Sequence, residues 1–280
     1  MKIYIFNLFR FLLLFVLLIQ QVSCSENTAN SDDEDEDGPG WQLVWNDEFD
    51  STAIDLQKWN FETGPDWYNN EAQYYSGPYE NTLLANDLLV IEARKENREG
   101  REYTSSRMTT QFKGGWLYGK FEVRARMPSG KGLWPAIWMM PTHSSYGDWP
   151  RSGEIDIMEL VGHDTKTVHG TLHYGDLPPN NIQSGTFYSS SSGNDFYEDF
   201  HVFTLEWEEN DMRWYVDGEL YQTQTQWFTV NGDYPAPFNR EFFLILNVAV
   251  GGNWPGYPDE TTNFPQRMYI DYVRVYQWQE

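Results

Sequence analysis

Three carboxylates, Glu154, Asp156 and Glu159, fall within the six residues EIDIME, separated by Ile155, Ile157 and Met158. Solvated charged faces do not normally alternate acids with large aliphatics, so the segment reads as a buried strand carrying chemistry. In a regular strand Glu154 and Asp156 share one face while Ile155 and Ile157 share the other. Continued alternation would turn Glu159 into the apolar core, where an unpaired charge costs several kcal/mol. A β-bulge at Ile157–Met158 removes the conflict by absorbing one residue and returning Glu159 to the acid face.

With that bulge, Glu154 and Glu159 are four strand steps apart, roughly 13 Å between Cα atoms. Two glutamates leaning together then leave their carboxyl groups about 5 Å apart, a separation that suits a covalent, retaining glycosidase better than an inverting one. Three neighbouring carboxylates cannot all ionise cheaply, so at least one pKa is expected to rise, as a general acid requires. The competing reading is a calcium or salt-bridge cluster.

Aromatic residues surround the motif. Trp134 and Trp138 in GKGLWPAIWMMP are four residues apart, and Trp149 precedes the acids. On a strand the first two share a face, and indoles suit the apolar faces and hydroxyl edges of sugar rings. For any single Trp, core packing is the alternative. His169 and His173 are also four apart, but no zinc-protease Glu lies between them and no third ligand is near, so a catalytic metal is not expected.

The elements that must position these groups are strands. GKFEVRARMP (119–128) alternates with period two, and MRWYVDGELYQT (212–223) holds a hairpin signal at Asp217-Gly218. REFFLILNVAVGG (240–252) is a continuous apolar run expected to be buried on both faces, and MYIDYVRVYQW closes the chain with aromatic and β-branched residues. Turn signals recur at intervals too short for crossover helices. The expected fold is all-β, a sandwich of two antiparallel sheets.

Residues 1–23 carry Lys2, Arg10 and the run FLLLFVLLI, too short to span a bilayer, and read as a signal peptide. Cys24, the single cysteine, stands where cleavage is expected. The segment resembles a bacterial lipoprotein signal, with Cys24 lipidated, although Gln21 departs from the usual Leu; plain secretion is the alternative. Residues 24–39 form an acidic spacer that cannot bury apolar surface. Counted from Asp33 as an EF-hand loop, this run puts Val44 where the bidentate Glu belongs, which excludes that motif. An acidic run after a lipidated cysteine also resembles signals that place lipoproteins on the outer face of Gram-negative cells. The expected location is therefore the outer membrane, facing outward, with the N-terminal lipid as sole membrane contact.

The net charge is −23, with +2 in residues 1–23 and −7 in residues 24–37, leaving −18 for residues 38–280. That excess argues against nucleic-acid partners and makes a polyanionic ligand a poor expectation. No oligomerisation signal is evident, and a monomer is expected.

WPAIWMMP…SGEIDIMEL, HGTLHYG (169–175), GGNWPG (251–256) and IDYVRVYQ (270–277) together resemble glycoside hydrolase family 16, in its laminarinase (endo-β-1,3-glucanase) branch. The resemblance covers residues 41–280 and implies a jelly-roll sandwich whose concave sheet forms a polysaccharide cleft. It implies Glu154 as nucleophile, Glu159 as general acid/base and Asp156 as their tuning partner, with no catalytic cofactor. It places Trp134 and Trp138 at glycone subsites, Trp149 toward the leaving group, and Asn70, Arg107 and His173 as sugar hydrogen-bond partners. It further implies a structural Ca2+ at Glu48 and Asp271, for which a salt-bridged Glu and Asp is the alternative. The implied activity is retaining endo-hydrolysis of β-1,3-glucan, with mixed-linkage glucan as an open second substrate. An agarase-type galactan hydrolase and a non-catalytic glucan-binding protein are the alternatives.

Overall fold

The computed structural model describes residues 39–190 and 195–280. The signal-like segment, Cys24 and the spacer up to residue 38 lie outside the described residues. The first strand starts at Gly40, where the folded domain was expected to begin.

Among the described residues, two eight-stranded sheets face one another. One runs β14 (Glu219–Gln224), β13 (Asp211–Val216), β12 (His201–Glu208), β7 (Gly119–Arg126), β16 (Gln266–Gln279), β5 (Leu89–Ala93) and β4 (Thr82–Leu84), with β1 (Gly40–Asp47) also on β16. The other runs β11 (Asn181–Ser189), β10 (Thr167–Gly175), β9 (Glu154–Glu159), β8 (Leu133–Pro141), β15 (Phe242–Val250), β6 (Tyr103–Thr109) and β2 (Asn60–Phe61). Among the described strands every pairing is antiparallel except one: β3 (Gln73–Ser76) lies parallel to β6. Among the described residues the only helical turn is a short 3-10 segment at Tyr68–Asn70.

Local sequence explains the strands that matter most. In β7, Phe121, Val123 and Ala125 are buried while Lys120, Glu122, Arg124 and Arg126 are half-buried on the outer face. Asp217 and Gly218 take φ of 49° and 80°, the two positive values that a tight hairpin between β13 and β14 needs. All nine residues of β15 are buried, because β8 and β6 flank it and both its faces are covered. The acid strand β9 is next but one to it, with β10 and β11 between it and the sheet edge on the other side.

A single apolar cluster fills the space between the sheets, joining Phe121, Leu205, Trp207 and Trp214 of one to Ile155, Ile157, Leu244 and Leu246 of the other. Phe121 sits between the rings of Trp116 and Trp207, at 5.9 and 6.4 Å. Replacing Phe121 by Ala is expected to cost about 3–5 kcal/mol of stability, read from the urea unfolding midpoint.

Candidate active site

The site begins with a register shift. Across β8, Ala136 opposes Glu159 and Ile137 opposes Met158, but Trp138 opposes Asp156. Across β10, His169 opposes Glu159, Thr171 opposes Asp156 and His173 opposes Glu154. One extra residue is therefore accommodated between Asp156 and Glu159, as the alternation of acids and aliphatics required. Ile155, Ile157 and Met158 all enter the core cluster, and the three acids turn to the opposite face.

The bulge is held from behind. Trp214, wholly buried on the opposite sheet, donates its indole N–H to the backbone carbonyl of Asp156 at 2.9 Å. Gly170, the residue of β10 opposite the bulge, makes this approach possible. A β-carbon there would lie 2.6 Å from both the Trp214 ring and the Tyr221 hydroxyl.

Each glutamate accepts a hydrogen bond from an indole. Trp134 donates to Glu159 at 3.0 Å and Trp149 donates to Glu154 at 2.7 Å. His173 Nε2 lies 3.1 Å from Asp156 and 3.7 Å from Glu154. Burial opposes charge on His173, but the Asp156 hydrogen bond and the fields of the three acids outweigh it and raise its pKa to about 9.

The same burial raises both glutamates. Glu154 is pushed to about 7 by burial and the charge of Asp156, against the pull of His173, Trp149 and Arg107. Glu159 is raised well above the ordinary glutamate range by burial and by two like charges, Asp156 and Glu154. Both glutamates are thus shifted toward the protonated form, and the charge of whichever acid ionises first holds the proton on its neighbour.

Trp138 is anchored rather than free. Its indole donates to Asn247 at 2.6 Å, and Asn247 donates to Tyr75 at 3.0 Å. Tyr75 reaches Glu71, which also accepts from Gln73. Arg107 is ion-paired to Glu62 and lies over the rings of Trp138 and Trp67, at 4.6 and 5.1 Å. Asn70 donates to Asn253 at 2.8 Å, and its carbonyl accepts from Tyr257. This joins the 68–70 turn to the GGNWPG loop beside Trp134, whose ring meets that of Trp254 at 5.4 Å.

The expected acids, indoles, Arg107 and His173 thus converge, and Asn70 stands at the adjoining loop. Asn247, Glu71, Trp254 and Trp214 were not assigned from sequence. Asn247 does break the aliphatic run LILNVAV, and that lone buried amide was the available signal.

Glu48 and Asp271, the residues that the resemblance implied as calcium ligands, are each paired with an arginine. Glu48 receives two hydrogen bonds from Arg274, at 2.9 and 2.8 Å, and Asp271 is ion-paired to Arg124. Arg274 thus holds both oxygens of Glu48, while Arg124 holds one of the two oxygens of Asp271. Among the described residues, the one group of three metal-ligand types is Glu154, Asp156 and His173. Those acids favour the protonated form of His173, which donates from Nε2 toward Asp156.

Paired carboxylates framed by indoles on one face of a β-sandwich define a glycoside hydrolase. The chain belongs to glycosyl hydrolases family 16, whose family model matches residues 66–274. It is 44% identical over 276 residues to a beta-glucanase of Rhodothermus marinus, covering 94% of each chain. It is 42% identical over 254 residues to a glucan endo-1,3-beta-glucosidase of Cryptopygus antarcticus, covering 85% of this chain and 93% of that one. Among solved structures, the laminarinase catalytic domain of Thermotoga maritima superposes with a TM-score of 0.77 at 49% identity, covering 86% of this chain and 99% of that one. The family and these structures establish the jelly-roll sandwich.

Two outcomes follow from the site. Trp214→Phe keeps the ring but frees the Asp156 carbonyl, and is expected to lower kcat about tenfold and shift the pH–rate profile. Trp207→Phe is the control: the Trp207 indole N–H has no partner, so its loss should leave that profile in place. Separately, a carboxyl whose folded pKa is raised loses stability as pH climbs above its ordinary value. Glu159→Gln removes that cost, so its melting temperature should exceed the parent's at pH 8 by at least about 2 °C and converge with it at pH 4.

Proposed function

We propose that the protein hydrolyses internal β-1,3-glucosidic bonds of laminarin-like glucans with retention of anomeric configuration. The observation that carries this reading is the placement of Glu154 and Glu159 on one face of β9, across the bulge, each held by an indole donor. Glu154, ionised, attacks the anomeric carbon while Glu159 gives its proton to the glycosidic oxygen. The leaving chain departs and a glycosyl ester on Glu154 remains. Glu159, now a carboxylate, takes a proton from water as that water cleaves the ester, and both residues return to their starting states. Asp156, paired with His173, holds the charge balance that keeps Glu159 protonated at the start of the cycle.

Substrate follows from the glucanase relatives, with mixed-linkage β-1,3-1,4-glucan as the second polymer to test. A pure binding role is disfavoured because all three acids are present and tuned. In this reading Trp134 and Trp138 stack sugars on the glycone side, Asn70, Arg107 and His173 supply polar contacts, and Trp149 borders the leaving group. Residues 1–24 support export, with lipidation at Cys24 and outward display at the outer membrane as the form that matches the signal.

Residues 40–280 incubated with laminarin, mixed-linkage glucan and agarose provide the test. Short β-1,3 oligosaccharides appearing first as the β-anomer by NMR are the expected result. Agarose cleavage alone would move the protein to galactans, and no cleavage of any polymer would overturn the hydrolase reading. Glu154→Ser is expected to abolish turnover while laminarin binding persists; retained turnover would remove Glu154 from the nucleophile role.

A further inference from the structure

The register of three strands lines an unassigned aromatic up with Glu159. His169 opposes Glu159 across β9 and β10, and Phe187 opposes His169 across β10 and β11. Directly opposed residues share a face, so the three side chains form one row across the sheet. On β11 the even-numbered residues lie on the other face: Ser184 bonds to Gln224, and the Tyr188 ring packs against Phe196 and Tyr221. The odd-numbered residues Asn181, Gln183, Gly185, Phe187 and Ser189 turn to the acid face. Phe187 is the one large apolar residue among them, and it is 59% exposed.

That ring is not isolated. It lies 6.1 Å from His169, which lies 5.1 Å from Trp254, which meets Trp134 at 5.4 Å. Trp134 in turn donates to Glu159. An unbroken aromatic row therefore starts at the donor to the acid/base carboxylate and ends on the edge strand. Trp134, Trp138 and Arg107 occupy β8 and β6, on one side of β9; β10 and β11 make up the other side.

Resting on the hydrolase reading above, we propose that Phe187 is a stacking platform for a glucosyl ring on the leaving-group side, two strand spacings or about 10 Å from the acid strand. The flat C–H face of a β-linked glucose would lie on the exposed phenyl ring, holding the departing chain straight while Glu159 protonates its oxygen.

The experiment compares Phe187→Ala with the parent on two substrates. Laminarin places sugars beyond the scissile bond, whereas a 4-nitrophenyl β-1,3-oligoglucoside cleaved at its aglycone places none there. The expected result is a loss in kcat/KM on laminarin on the order of fivefold greater than on the nitrophenyl substrate, carried mainly by KM. Phe187→Trp should recover most of it. Equal losses on both substrates, or no loss on either, would overturn the platform and leave the hydrolase intact. A parent chain that cleaves neither substrate would instead overturn the hydrolase reading on which the platform rests.

Discussion

The site depends on one departure from strand geometry. Period-two alternation cannot place residues 154, 156 and 159 on one face, and the extra residue in β9 is what allows it. The apolar residues between the acids stay in the core because of the same shift, so catalysis and packing are satisfied by one local irregularity. Bulges bend and weaken a ladder. Here the carbonyl left at Asp156 is taken up by an indole from the facing sheet. The sandwich interior is thus part of the catalytic apparatus, and Gly170 is required because the partner strand must let that indole through.

Three buried acids next to one another are a standing electrostatic cost. His173 offsets part of it, and the two indole donors offset a little more. The remainder appears as raised carboxyl pKa values, which is the property that general acid catalysis uses. A more stable site would have lost an acid or gained a second cation, and in either case Glu159 would no longer hold its proton. Stability and reactivity are opposed here through the same few groups.

Much of this was legible in the chain. The strand β7, the Asp217-Gly218 hairpin and the doubly buried β15 followed from period and turn chemistry. The bulge followed from refusing to bury Glu159 in the core. Interactions that cross the sandwich were not legible, because sequence carries no record of which residues meet over a long separation. Trp214, 58 positions from Asp156, looked like any core tryptophan, as does Trp207, which is buried and whose indole N–H has no partner. The same limit applies to Glu48 and Asp271, whose arginine partners lie on separate strands, and to β3, whose parallel pairing with β6 no alternation pattern announces.

The acids, Trp134, Trp138, His173 and Trp214 all lie within paired strands, whereas Trp149, Asn70 and Trp254 lie on connections between them. Lengthening a surface connection costs little and leaves the ladder undisturbed. A lineage built on this chain could therefore change which polymer it grips by rewriting three loops, with the bond-breaking machinery passed on unaltered.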